Sequence, residues 1–318
     1  MNKNNSREII LKQLKDCKGQ FISGTDLSKN TDTSRAAIWK QIERLREEGY
    51  EISSVTNRGY RLDTEPDFLD SRLLIENSII CKHSVDSTNR EARILAESGA
   101  PGYSVIAAEE QLQGRGRLGR HWFSPPKSGI WFSIILRPEH ITPEEVTPVT
   151  LVTAVSIAAY FREIHNLQVQ VKWPNDLLIN SKKFGGILTE LKGEPDRIEY
   201  LIVGIGLNIS QNTDTFPTEL NERATSLFIE SGKRHNRTYM LVEIYKALVN
   251  DYKLFFSNGF SPFYKKWKYF SSTLGQQVTI SRPGGSLTGR AVNLSEKGAL
   301  IIEDNTGKTH YLNFGEIT

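Results

Sequence analysis

With 318 residues, 38% hydrophobic and 24% charged, the chain is too long for one compact core and has the make-up of a soluble protein of two or three domains. No run reaches the roughly 18 apolar residues of a membrane-spanning helix, and the polar start Met1-Asn2-Lys3-Asn4-Asn5 lacks the apolar centre of a secretory signal, so a cytoplasmic protein with no membrane partner is expected. The net charge of +3 is small, and two cysteines, Cys17 and Cys81, without a CxxC pair or a His/Cys cluster, argue against a disulfide framework or a protein metal site; both are read as reduced, buried thiols.

The positive excess sits at the N-terminus, where residues 1–62 carry 12 Lys/Arg against 8 Asp/Glu. Nucleic-acid contact is therefore to be sought there. Ser6 is placed to cap a first helix in which Ile10, Leu11 and Leu14 recur at helical spacing, with Gly19 just past its end. Ser23 with Asp26 resembles a capping box that opens a short second helix through Leu27 to Lys29. A third helix starts near Thr33 or Ser34, buries Ile38, Ile42 and Leu45, and stops at Gly49. Tyr50–Val55 and Tyr60–Leu62 then flank Asn57-Arg58-Gly59, a hairpin signal.

Three helices and a hairpin give the order of a winged helix-turn-helix, whose third helix enters the major groove. Ser34, Arg35 and Lys40 at the start of that helix, and Arg58 at the wing, are the candidate DNA contacts. A protein-interaction module with a solvated charged face has the same pattern; the positive balance and its placement favour DNA.

The polar, proline-containing stretch Asp63-Thr64-Glu65-Pro66-Asp67 sets a boundary, giving a first domain over 1–65. Beyond it, strands at 105–108, 130–136, 169–171, 187–191 and 200–203 mix with helices at 149–164 and 240–256, without strict alternation. That predicts an α+β domain on a mixed sheet, over 66–270. From 271 to 318 short strands at 277–280, 289–293, 299–303 and 309–312 alternate with turns, the pattern of a small antiparallel barrel.

Gly114-Arg115-Gly116-Arg117-Leu118-Gly119-Arg120-His121-Trp122 follows a predicted strand. Glycines let a backbone approach a ligand, and arginines offer planar donors for carboxylate and phosphate. The loop is neither a Walker A loop nor a dinucleotide fingerprint. Taken alone, it has the composition of a flexible nucleic-acid-binding tract, a reading its strand-like flanks oppose. Lys172-Trp173-Pro174-Asn175-Asp176 supplies a cation, an amide and a carboxylate within five residues, as a nucleotide and its magnesium require; as a plain strand-ending turn it would bury its Trp. Lys183 then precedes Phe184-Gly185-Gly186-Ile187-Leu188, while Lys182 reads as a surface residue. Gly204-Ile205-Gly206-Leu207-Asn208 closes an apolar strand with positions free of side chains.

In this order, G-R-G-R-x-G-R-x-W, K-W-P-N-D, K-x-G-G-I-L and G-x-G-x-N resemble the biotin protein ligases, and more narrowly the members that double as biotin-operon repressors. Asp86-Ser87-Thr88-Asn89 and Glu109-Glu110-Gln111 also match that family's pattern. The resemblance covers the whole chain and implies a winged helix-turn-helix, a mixed-sheet ligase domain and an SH3-like C-terminal barrel. It implies that Ser87, Thr88, Asn89, Gln111, Arg115, Gly116, Arg117 and Lys183 contact biotin, with Gly185, Gly186, Gly204 and Gly206 lining the pocket. Arg117, Arg120, Trp122, Lys172, Asn175, Asp176 and Asn208 would hold ATP; Trp131 would be either a wall for the adenine or a core residue. Leu118 stands where relatives can carry another basic residue, so the loop has one charge fewer.

The implied reaction joins biotin to AMP at the expense of ATP, with Mg2+ on the phosphates, and passes biotin to a lysine of a biotin carboxyl carrier protein. Arg117, Lys172 and Lys183 would be the catalytic cations. A homodimer promoted by biotinyl-5′-AMP would bind operator DNA through two recognition helices. A lipoate ligase on a related fold and a ligand-sensing repressor without catalysis are the competing readings.

Overall fold

Eight buried apolar side chains build the N-terminal core: Ile10, Leu14, Leu27, Ile38, Ile42, Leu45, Ile52 and Leu62. They come from α1 (Lys3–Asp16), α2 (Gly24–Thr31), α3 (Arg35–Glu47), β1 (Glu51–Val55) and β2 (Gly59–Thr64). The computed structural model describes residues 3–47, 50–65, 67–69, 71–139, 141–194, 197–282 and 285–317. Met1, Asn2, the expected helix stop at Gly49 and the linker residue Pro66 lie outside them. Residues 1–67 and 68–318 form two compact units.

Ser23 caps α2 by accepting from the backbone N–H of Asp26, and its hydroxyl donates to the Asp26 carboxylate at 2.7 Å. Ser6 does not cap α1, which begins at Lys3 and so places Ser6 inside its first turns. The hairpin turn carries Asn57 and Gly59 at positive φ. Gly59 cannot be replaced without a shift, since a Cβ there would lie 2.0 Å from the carbonyl oxygen of Ile22, whose N–H is bonded to Tyr60.

In the larger unit α4 (Ser71–Glu76), β3 (Ile79–Val85), α5 (Thr88–Glu97) and β4 (Val105–Gln111) precede the arginine loop, and β5 (Gly129–Leu136) follows it. Next come α6 (Pro143–Val146), α7 (Val149–His165), β6 (Gln170–Lys172), β7 (Asp176–Ile179), β8 (Lys182–Glu194) and β9 (Arg197–Asn208). The seven strands β3–β9 form one sheet in the order β3-β4-β5-β9-β8-β7-β6, with only β3 and β4 parallel. This is the expected mixed sheet. Helices α8 (Leu227–Ser231), α9 (Arg237–Asn258) and α10 (Ser261–Phe270) follow. Residues of α7, α9 and α10 share one apolar cluster with β5, β8 and β9; Phe161, Tyr252 and Trp267 at its heart are wholly buried.

The final strands β10 (Gln277–Arg282), β11 (Gly285–Leu294), β12 (Leu300–Asp304), β13 (Thr309–Leu312) and β14 (Glu316–Ile317) form an antiparallel sheet in the order β13-β12-β11-β10-β14. The expected helices at 149–164 and 240–256 are α7 and α9. Elements the apolar patterns did not predict include α5, whose buried face is Thr88, Asn89, Ala92 and Ala96, and β3, an edge strand in which Lys82, His83 and Ser84 are all exposed. Cys17 and Cys81 are free thiols, half-buried rather than fully buried. No helix among the described residues is long and apolar enough to cross a membrane.

Candidate active site

A cavity of about 550 Å³ opens over the sheet where β8 and β9 lie side by side. Its floor is made by glycines. Gly186 on β8 pairs with Gly206 on β9, and Gly204 lies two residues before Gly206, on the same face. A Cβ on Gly204 would sit 2.0 Å from Asn89 Oδ1, and one on Gly206 would sit 2.4 Å from Trp122 Nε1. Gly185, which the resemblance placed in the pocket wall, faces away: its neighbours are Leu207 and Leu177, because successive residues of a strand point to opposite faces.

One end wall is a polar network starting at α5. Ser87 precedes the helix in extended conformation and makes no cap bond with its side chain. Gln111 accepts from the Thr88 N–H at 2.9 Å and from the Thr88 hydroxyl, while its amide N–H donates to Ser124. Asn89 donates to Leu188 O and to Glu190, and accepts from Ser133 at 2.7 Å. Ser87, Thr88 and Asn89 are all buried. The Thr88 hydroxyl and the Asn89 and Gln111 amides are thus fixed before any ligand arrives, as orientation of a polar ligand requires.

The arginine loop is a narrow hairpin. The Gly116 N–H donates to Arg120 O, the Trp122 N–H donates to Gly114 O, and Leu118 at the tip has φ 55° and is 77% exposed. Arg117 donates to Asn175 Oδ1 at 3.2 Å and to Gly315 O at 2.9 Å; Arg120 pairs with Glu316. Burial draws the Arg117 guanidinium below its ordinary value, with Glu316 and Asp176 opposing that shift. Trp122 stands over Gly186 and Gly206, with its buried indole N–H unpartnered. Lys183 Nζ lies 5.3 Å from the Trp122 ring centre and 2.7 Å from Asp176 Oδ1.

The K-W-P-N-D turn joins β6 to β7. The Asn175 amide is a local brace, donating to Ile187 O while Ile187 N–H bonds Asn175 O. The backbone of Lys183 is clamped by the segment beyond β9: its N–H donates to Arg223 O, and Thr225 N–H donates to its carbonyl. Asn208 is buried and donates to Thr225 O. Lys182 is exposed.

The structure brings the sequence-selected residues together. Ser87, Thr88, Asn89, Gln111, Arg115, Gly116, Arg117, Lys183, Gly186, Gly204 and Gly206 all line the cavity, and so do Arg120, Trp122, Lys172, Asn175, Asp176 and Asn208. Trp131 is not among them: it is wholly buried in β5, edge-on to Trp122 at 6.4 Å. The lining also holds residues the motifs did not mark, among them Phe216, Leu220 and Arg223 after β9 and Glu316 and Ile317 in β14. Six cations (Arg115, Arg117, Arg120, Lys172, Lys183 and Arg223) face two carboxylates, Asp176 and Glu316. Such a site attracts a polyanion and holds a carboxylate against it.

In the N-terminal unit Ser34, Arg35, Lys40 and Arg58 are exposed. Arg35 bonds the Thr25 hydroxyl, tying α3 to α2. Arg58 stacks 4.6 Å over Phe21, whose ring also meets Arg61.

Residues 7–61 match the family described as HTH domain, residues 82–208 the Biotin/lipoate A/B protein ligase family, and residues 273–318 the Biotin protein ligase C terminal domain. The Bifunctional ligase/repressor BirA of Bacillus subtilis is 35% identical over 310 residues, covering 95% of each chain. That of Escherichia coli is 28% identical over 291 residues, 90% of this chain and 89% of its own. Among solved structures, a biotin protein ligase from Aquifex aeolicus in complex with biotin and ATP superposes with a TM-score of 0.66 at 33% identity, over 76% of this chain and 97% of its own. With a winged-helix unit, a mixed-sheet domain holding this cavity and a C-terminal β domain in one chain, the protein belongs to the family of bifunctional biotin ligase/repressors.

Proposed function

We propose that the chain is an ATP-dependent biotin protein ligase that forms biotinyl-5′-AMP, transfers biotin to a lysine of a biotin carboxyl carrier protein, and represses transcription in response to biotin. The observation that carries this reading is the single cavity in which fixed polar groups at one end meet six cations and a glycine floor. Family membership supports it, as does the likeness to a ligase solved with biotin and ATP. The domain limits that go with it are 1–65, 66–270 and 271–318, and its setting is the cytoplasm.

Ser87, Thr88, Asn89 and Gln111 would orient the polar head of biotin, with Gly186, Gly204 and Gly206 giving its ring room and Arg115, Gly116, Arg117 and Lys183 near its carboxylate. Arg120, Lys172, Asn175, Asp176, Asn208 and Trp122 would hold the nucleotide; Trp131 supports Trp122 from behind. The biotin carboxylate attacks the α-phosphorus and pyrophosphate leaves. Arg117, Lys172 and Lys183 stabilise the charge that develops. Among the described residues no three His, Cys, Asp or Glu are grouped so as to hold a metal ion by themselves. Asp176, beside Asn175, is the one carboxylate of the K-W-P-N-D turn, which suits Mg2+ bound mainly through phosphates; the ion would neutralise them. Closure of the arginine loop would keep water from the mixed anhydride.

Ser34, Arg35, Lys40 and Arg58 would contact operator DNA, two half-sites being bound by a homodimer that biotinyl-5′-AMP promotes. Pyrophosphate release on mixing with ATP and either biotin or lipoate tests the enzyme. Release with biotin is expected; release with lipoate alone makes it a lipoate ligase, and none with either leaves a ligand-sensing repressor.

A further inference from the structure

A second cavity of about 170 Å³ lies beside the first, lined by Thr147 just after α6, by Thr150 and Leu151 in the first turn of α7 and by Gly298, Asn313 and Phe314 of the C-terminal domain. The two cavities share Arg117, Trp173, Pro174, Asn175, Ile187 and Leu188 as a common wall, so Arg117 borders both spaces, while the glycine floor lines the first alone. We infer that it is the entry slot for the acceptor lysine side chain, an assignment that rests on the ligase reading above.

Charge decides between the two ways in. A lysine reaches the protein as an ammonium, and the main cavity would present it with six cations against two carboxylates. The second cavity holds one ionisable group, Arg117, already engaged by Asn175 and Gly315 O. Its remaining lining is aliphatic, aromatic, hydroxyl or amide, which suits four methylenes followed by a nitrogen. Thr150 and Thr189 bond each other at 2.9 Å, leaving a neutral polar surface inside. The slot also favours the reactive form. Loss of water and the nearby guanidinium both disfavour an ammonium, so the amine enters having given one proton to solvent. Its nitrogen then attacks the acyl carbon of the mixed anhydride; the C–N bond forms, the bond from carbon to the phosphate oxygen breaks, AMP leaves with that electron pair, and the second amine proton passes to solvent.

Thr147 and Asn313 are the slot's lining from α6's end and from the C-terminal domain, and both are exposed. Thr147→Trp and Asn313→Trp would plug it without touching the main cavity, and Thr147→Val is the control for size. Three acceptors are offered to the biotin- and ATP-loaded full chain: a biotin carboxyl carrier domain, Nα-acetyl-lysine and hydroxylamine, which is small and neutral. Both plugs should slow transfer to the first two by about tenfold or more, given what misplacement of a nucleophile costs. Hydroxylamine trapping and biotin-dependent pyrophosphate exchange should stay within about twofold of the unsubstituted chain. Normal transfer to Nα-acetyl-lysine overturns the slot, leaving at most a docking surface for a second protein, and an equal loss with hydroxylamine overturns it as general damage. If the unsubstituted chain shows no biotin-dependent pyrophosphate exchange, the ligase reading itself fails and takes the slot with it.

Discussion

The floor of the cavity lies on two central strands and works by lacking side chains, whereas its roof is a hairpin of arginines on the surface. Gly186, Gly204 and Gly206 are bound by the full ladder between β8 and β9. The roof is held by a few hydrogen bonds, an exposed ion pair to Glu316 and a tip with Leu118 at positive φ. The difference separates two requirements of one reaction. Shape is placed where the backbone has least freedom, and charge is placed where it can close over a bound anion and open again.

Damage to the floor should be the most severe. Gly204→Ala puts a Cβ 2.0 Å from Asn89 Oδ1, and Asn89 has nowhere to go because Ser133, Leu188 O and Glu190 all hold it. Overpacking of this kind costs about 1–3 kcal/mol of stability. Calorimetry should find biotin binding lost as well, and tight binding by this variant would show that the floor gives.

Lys183 stands between the two regions, its backbone on β8 and its ammonium under Trp122. Lys183→Ala should lower biotin-dependent pyrophosphate exchange by about 1.5–3 kcal/mol in activation terms, with an unchanged unfolding midpoint. An unchanged exchange rate would remove Lys183 from the site. Arg117→Ala takes from the roof its bonds to Asn175 and Gly315 O. Stability should hold while retained adenylate escapes, seen as labelling of bystander proteins that rises several-fold, or roughly tenfold, for a lost charge-assisted bond. Equal retention would mean that the loop only covers the site.

A control belongs to neither region. His165 and His235 meet edge to face at 4.9 Å, and burial holds both imidazoles below their ordinary 6.5, with each other's or Lys233's charge adding to it. Above 6.5 the folded and unfolded chains are alike in leaving them neutral. As pH falls below that value the unfolded chain takes up protons that the folded one resists, so stability is lost toward acid. The unfolding midpoint should decline modestly between pH 7 and 5.5, and less so for His165→Phe; a steeper decline in that variant would show that the pair is not its source.

The glycine and arginine motifs were legible in the sequence because they mark strand ends and tight turns, where residue type answers directly to backbone geometry. Of the residues that the resemblance assigned to biotin or ATP, all but Trp131 and Gly185 line the cavity. Gly185 misled because a glycine pair in a strand offers one member to each face. What no local pattern carried were contacts made across long stretches of chain. Gly315 and Glu316 meet the arginine loop from 196 or more positions away. Phe216 and Arg223 lie in irregular chain and Leu220 ends a single 3-10 turn, none with an apolar period, and the chain at 223–225 is held in the wall by its backbone bonds to Lys183. Arg58 at the wing likewise spends one face on Phe21, a partner 37 residues earlier that no turn signal announces.

One such contact bears on how the protein can be shortened. Glu109 is 3% exposed and its carboxylate is shared: one oxygen accepts from Arg237 and from the N–H of Lys127 at the foot of the arginine loop, the other from the N–H of Leu69 at 3.0 Å. A truncated ligase that begins after Leu69 would take away that second oxygen's hydrogen-bond donor, at a cost of about 1–3 kcal/mol, on the same carboxylate that holds the N–H of Lys127. One that begins at Asp67 would keep the bond. A loss of activity on removing the winged-helix unit could therefore come from cutting three residues too far, and the start site of the shortened chain would decide between that and a true dependence on the missing domain.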